Sequence, residues 1–229
     1  MICRPLALLM VLCTSAAAQS GAPKYDSVFE NDVVAVYRLD LPAGASAAPV
    51  QSSRDGFWVA LNDSAVMFAL QQGSVRAELK AGDVRFFSSF DTKLITNSGA
   101  IPFHGVLVVL KPRALISSGC ECTGNTGKAV CGCRNGGHLE PLWALNMGSV
   151  TLAGTQLAPN EAFHAVAQRD DMLLVAITDI DLEDAISTQP DAFNGFIRLK
   201  SGGANWIKGG QHRFKNIGSA NARFITFEF

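Results

Sequence analysis

A set of short apolar segments occurs twice in the same order, and this recurrence limits the fold more than any other feature of the chain. The first copy has Val34-Ala35-Val36, a turn at Leu41-Pro42-Ala43-Gly44, and then Asp55-Gly56-Phe57-Trp58-Val59-Ala60-Leu61-Asn62-Asp63. The second has Val150-Thr151-Leu152, Leu157-Ala158-Pro159-Asn160 and Asp171-Met172-Leu173-Leu174-Val175-Ala176-Ile177-Thr178-Asp179, each 116 positions on (Val34 to Val150). Further along, Asn97-Ser98-Gly99 answers to Asn216-Ile217-Gly218, and Val106, Val108 and Leu110 to Ile225, Phe227 and Phe229, now 119 positions apart (Asn97 to Asn216). A constant shift changed once by three residues in a loop is what duplication with one insertion leaves. The segments alternate or are β-branched, and Gly, Pro, Asn or Asp interrupts them about every ten residues. They read as short antiparallel strands of a sandwich or barrel.

Each copy carries the pattern L-P-x-G, R-D-x-x-x-V-A-L, L-x-x-G-D, N-x-G and V-x-V-x-L, more or less worn. This unit resembles the cupins, and two copies resemble a bicupin, over most of residues 28–117 and 140–229. The most specific piece is His212-Arg213-Phe214-Lys215-Asn216, matching the H-x-x-x-N of the second cupin motif. The resemblance implies a double-stranded β-helix (jelly-roll) barrel whose mouth often holds a metal on three His and one Glu. Those ligands are mostly missing here. Where the family has H-x-H, this chain has Gln51 and Ser53, and in the second copy Ala167 and Arg169. The Glu position falls on Phe57 or Trp58, and on Leu173 or Leu174; the later His is Lys93 in the first copy and survives only as His212. His104, His138 and His164 match no ligand position. A transition metal wants three or four N, O or S donors, so no metal is expected in the barrels, a divalent ion remaining the second option.

Alternate residues of a barrel strand face the lumen. On that basis Arg169, Asp171, His212 and Asn216 are candidate ligand contacts in the second barrel, and Gln51, Ser53, Lys93 and Asn97 in the first. Arg beside His suits a carboxylate or another small anion. The alternative is that Arg169 pairs with Asp170 or Asp171 at a solvated rim, leaving His212 a satisfied interior histidine. The acidic run Asp181, Glu183, Asp184 reads as a solvated loop face. No G-x-S-x-G, H-E-x-x-H or phosphate-cradling glycine loop occurs, which removes the common nucleophilic and zinc-protease chemistries.

The flanks and the connection fix compartment and linkage. Arg4, the apolar run Leu6–Leu12 and Ala16-Ala17-Ala18 before Gln19 have the layout of a secretory signal peptide, cleaved near Ala18-Gln19, so a secreted or periplasmic protein is expected. No later stretch approaches the length that spans a bilayer. Between the copies, Cys120, Cys122, Cys131 and Cys133 are disposed symmetrically about Thr126-Gly127, and a hairpin centred there puts four sulfurs on one face. That serves two nested disulfides or a tetrahedral zinc; export favours disulfides. With Lys+Arg at 19 and Asp+Glu at 20 there is no field to hold nucleic acid. The expectation is an all-β chain: signal peptide 1–18, N-terminal cupin-like barrel 19–117, Cys-rich hairpin 118–137 and C-terminal barrel 138–229. Its expected role is a non-catalytic module, binding a small molecule or structural, as monomer or homodimer. The rival is a cupin-type isomerase, oxygenase or metal-free lyase rearranged around His212.

Overall fold

The computed structural model describes residues 22–50, 54–88, 92–111, 143–147, 150–168, 171–185 and 193–229. The expected signal peptide, Gln51, Ser53, Arg169 and the four cysteines of the connection lie outside the described residues. Within them the chain is all strand. The first unit contains β1 (Lys24–Glu30), β2 (Val34–Leu41), β3 (Ser46–Ala47), β4 (Gly56–Ala60), β5 (Ser64–Leu70), β6 (Gly73–Leu79), β7 (Val84–Phe87), β8 (Thr92–Asn97) and β9 (Phe103–Leu110). The second contains β10 (Trp143–Met147), β11 (Val150–Leu157), β12 (Ala162–Gln168), β13 (Met172–Ala176), β14 (Ile180–Ala185), β15 (Phe193–Leu199), β16 (Ala204–Ile207), β17 (Gly210–Asn216) and β18 (Ala222–Glu228). Among the described residues no helix is long and apolar enough to cross a membrane.

Each unit is a jelly-roll of a five-stranded and a four-stranded antiparallel sheet. The orders are β1-β2-β9-β4-β7 with β3-β8-β5-β6, and β10-β11-β18-β13-β16 with β12-β17-β14-β15. The duplication holds pair by pair. Phe57 faces Val108 as Leu173 faces Phe227; Val66 faces Asn97 as Leu182 faces Asn216; Ala47 faces Ile95 as Phe163 faces Phe214. The shift between copies changes in two steps rather than one. Four residues are gained between β14 and β15 (Leu79 answers to Leu199), and one is given back before β17 (Asn97 answers to Asn216).

The turns repeat as well. Gly44, at φ 74°, corresponds to Asn160, at φ 65°, the one non-glycine residue of positive φ among the described residues. Asn is a residue that tolerates the left-handed region, which explains how Leu-Pro-Ala-Gly and Leu-Ala-Pro-Asn make the same turn. Asp63 accepts from Lys80 Nζ and from the Ala81 amide, as Asp179 does from Lys200 Nζ and the Ser201 amide.

Sequence suggests two cores, one per barrel, but the apolar residues form three. Leu39, Trp58, Val66, Phe68, Ile95 and Leu107 fill the first lumen, and Leu174, Leu182, Ile197, Phe214 and Phe224 belong to the second. A third cluster joins Val34, Phe57, Val59 and Val108 of the first unit to their counterparts Val150, Leu173, Val175 and Phe227. The two five-stranded sheets therefore pack face to face, buried on both sides. This is why β4, β13 and the part of β9 from Gly105 onward read as unbroken apolar runs instead of alternating ones. Each fully buried Leu, Val or Phe contributes about 1.5–3 kcal/mol, so the seam is a substantial part of the fold.

Candidate functional site

The second lumen keeps a polar end. Along β14 the inward parity runs Ile180, Leu182, Asp184, and along β17 it runs His212, Phe214, Asn216. The two strands pair antiparallel, Asp184 opposite Phe214, which sets the Asp184 carboxylate beside the His212 ring. His212 Nδ1 lies 3.0 and 2.9 Å from the two Asp184 oxygens, with the side chains only 9% and 8% exposed. The other ring nitrogen, Nε2, is 2.9 Å from the Lys208 carbonyl oxygen. A carbonyl only accepts, so Nε2 carries a proton and donates it. The ring stacks on Phe214 at 5.7 Å between centroids. Both nitrogens are thus engaged by protein groups.

Beside this pair opens a cleft of about 520 Å³ between β15 and β16, with Phe196, Asn205, Trp206 and the Lys208-Gly209-Gly210 connection on its walls. Asp171 secures that connection from outside. Its carboxylate accepts from Lys208 Nζ at 2.9 Å, Gly209 N at 2.8 Å and Trp206 Nε1 at 3.1 Å. The Lys208 ammonium, then the Gly209 amide, hold the Asp171 carboxyl below the usual carboxylate range, against partial desolvation. Trp206 lies between Phe29 and Phe229, stacked on both, so its ring belongs to the seam and only lines the cleft.

The proposed contacts separate accordingly. Asp171 and His212 flank one connection, His212 on its inner side and Asp171 as an outer anchor rather than a lumen contact. Asn216 and Asn97 instead hold turns. Asn216 Nδ2 donates to Leu157 and Ala220 carbonyls at 3.0 and 2.8 Å and its Oδ1 accepts from Gly218 N at 3.0 Å. Asn97 repeats this with Leu41, Ile101 and Gly99 at 2.9, 2.8 and 2.9 Å. The Asn of the family motif is here a turn lock in both barrels. Lys93 does not enter the first lumen. A bulge in the β5–β8 pairing skips it, Leu70 facing Thr92 and Ala69 facing Leu94, so Thr92 turns inward and Lys93 outward. Gln51, Ser53 and Arg169 lie outside the described residues.

Asp184 is the residue that sequence reading misses, having placed it in a solvated loop. The signal was available: Ile180, Leu182 and Asp184 share one face of a strand, and the apolar neighbours define that face as buried. In the first barrel the corresponding positions are Phe68, buried, and Lys93, exposed. Trp58 and Phe87, their rings 5.8 Å apart, help fill that lumen.

The metal centre of the fold family does not fit these residues. His212 has neither nitrogen to offer, Lys93 points outward, and Trp58 and Leu174 occupy buried positions where the family has a ligand. Among the described residues no three His, Cys, Asp or Glu side chains converge.

No family model matches the chain, and no curated protein does. Solved structures match along most of its length. AerE from Microcystis aeruginosa is similar at TM-score 0.63 and 11% identity, over 90% of this chain and 96% of that one. The oxalate decarboxylase of Lactobacillus farciminis, solved with formate, gives TM-score 0.61 and 14% identity, over 90% and 80%. A cupin 2 conserved barrel domain protein from Leptotrichia buccalis gives 0.54 and 8%, over 92% and 90%. At such identities the likeness is one of fold.

Proposed function

On the premise of a bicupin fold, two jelly-roll barrels in one chain, we propose that the protein is a non-catalytic small-molecule-binding module working through its second barrel. The observation that supports this most is the cleft of about 520 Å³ bordered by the buried Asp184–His212 pair, a size in the range of ordinary ligand sites. The first barrel, its lumen packed with Trp58, Phe68 and Phe87, acts as a structural copy. The anion reading needs Arg169 in the cleft, because Asp184 balances whatever charge His212 carries.

The fold neighbours include a decarboxylase, and a buried Asp–His pair beside a cleft favours a second reading, metal-free acid–base catalysis. That chemistry requires Lys208 to release Nε2 first. One panel separates the possibilities: small carboxylic acids and neutral polar molecules of similar size, followed by thermal shift and by product analysis. Binding without turnover, weakened at least about tenfold by His212→Gln, supports the module. Binding lost in Arg169→Ala for the acids alone supports an anion ligand. Turnover supports the enzyme, and no binding by any member of the panel sinks the proposal.

The export signal adds a compartment to this reading. In an oxidising space the four connecting cysteines form two nested disulfides. An intact mass four hydrogens below the fully reduced form supports that pairing, and a chelatable zinc equivalent overturns it.

A further inference from the structure

A second cavity, of about 320 Å³, lies at one end of the seam between the barrels, lined by Arg38, Asp40, Leu61, Asn62, His104 and Ser201. Its polar groups are built in rather than scattered. Asp40 on β2 faces His104 on β9 directly across the ladder, and His104 Nδ1 sits 2.6 Å from Asp40 Oδ1. Asn62 fixes the strand beneath, its Oδ1 accepting from the His104 amide at 2.8 Å while its Nδ2 donates to the Pro102 carbonyl at 3.0 Å. With Nδ1–H given to Asp40, Nε2 is left as an acceptor.

The duplication supplies a control for this cavity at the other end of the seam. The counterpart of His104 is Arg223, of Ser201 it is Ala81, and of Arg38 it is Gly154. There, Arg223 Nη2 crosses between the barrels and donates to the Ala81 carbonyl at 2.7 Å, leaving only about 10 Å³. A guanidinium therefore fills one end of the seam. At the other end the shorter imidazole leaves the equivalent space open. Arg38 does not fill it, because its guanidinium turns to Asp26, 3.2 Å from Oδ2. The Ser201 hydroxyl is committed to the Ile177 carbonyl at 2.7 Å, so it is no nucleophile for His104.

We infer that this seam cavity binds a guanidinium or primary ammonium group, which takes the place Arg223 holds at the opposite end. The Asp40 carboxylate and His104 Nε2 supply the acceptors, while the Arg38 guanidinium, which also lines the space, is held through Nη2 by Asp26. The cation comes either from a free small molecule or from a Lys or Arg side chain of another protein.

The test is a nuclear magnetic resonance titration of the His104 ring and the Asn62 side-chain amide at low salt, in the full chain. Methylguanidinium is the probe for a free cation, and acetyl-Gly-Arg-Gly-amide the probe for a protein-borne one. Saturable shifts at His104 with either support the site, and the tighter of the two identifies the source. His104→Arg is expected to plug the cavity as Arg223 does. It then lowers affinity at least about tenfold and raises the melting temperature by about 2–4 °C. Arg223→Ala is the converse, a destabilised variant that millimolar methylguanidinium partly restores. The inference is overturned if His104 responds to acetate or phosphate and not to methylguanidinium, if it responds to none of them, or if His104→Arg binds as well as the wild type.

Discussion

At corresponding places in the two barrels, Phe68 stands where the second has Asp184, and Lys93 where it has His212. The backbone around them is the same except for the bulge that skips Lys93. The strands pair in matching register, Asn97 and Asn216 lock matching turns, and Asp63 and Asp179 receive matching lysines. What differs is the lumen, filled with aromatic side chains in one barrel and bordered by a hydrogen-bonded Asp–His couple and a cleft in the other. The comparison teaches that main-chain register and turn geometry carry the fold, while a lumen side chain is free to be core or site.

The largest expected effect strikes the filled barrel. Trp58 is 1% exposed, and Trp58→Ala is expected to cost about 3–5 kcal/mol in chemical denaturation. A loss under about 1 kcal/mol contradicts a packed first lumen. In the other barrel, Asp184→Ala leaves His212 buried without its partner and is expected to cost about 3 kcal/mol. Replacing both, as Asp184→Leu with His212→Leu, is expected to recover most of that loss, because apolar residues of similar volume replace a buried pair at little cost. Additive losses instead mean that the two side chains do not act as a couple.

A smaller pair of effects tests the symmetry itself. Asn97→Ala and Asn216→Ala each strip one buried and one part-buried carbonyl of their donor and are expected to cost about 2 kcal/mol, alike to within about 0.5 kcal/mol. A difference of several-fold between them breaks the equivalence of the turns. The smallest effect is a pH dependence at Asp171 of the second barrel. Lys208 lowers the Asp171 pKa, so the stability it adds is full above the unfolded value of about 4 and is lost as pH falls through the lower folded value. With a third of that side chain exposed, screening keeps the effect under about 1 kcal/mol. The difference in unfolding free energy between wild type and Asp171→Asn, followed from pH 6 to 3, is expected to shrink toward zero at the acid end. A difference that grows as pH falls contradicts the assignment.

Much of this architecture was legible from residues. The repeated order, the turn at Asn160 and the bounds of β2, β4 and β7 follow from alternation and turn chemistry, which act locally, whereas β1, β5 and β8 carry no such signal. The site was less so. His212 was marked by its motif, but its partner Asp184 sat in an acidic run whose composition looks solvated, and only strand parity reveals it as buried. Lys93 was misplaced because a bulge, which flips every later side chain to the other face, leaves no local signature in the sequence. The seam core was hidden for another reason. A sheet buried on both faces has no alternation to count, and its runs look like ordinary strand interior.

The central claim is that, of the two barrel lumens, only the second borders a ligand cleft. Crystals soaked with a library of small polar fragments test it most directly. Density for fragments between Phe196, Lys208 and the Asp184–His212 pair, with none in the first lumen around Trp58 and Phe68, is the predicted result. Fragments lodged in the first lumen, or a second-barrel cleft that stays empty across the library, contradict it.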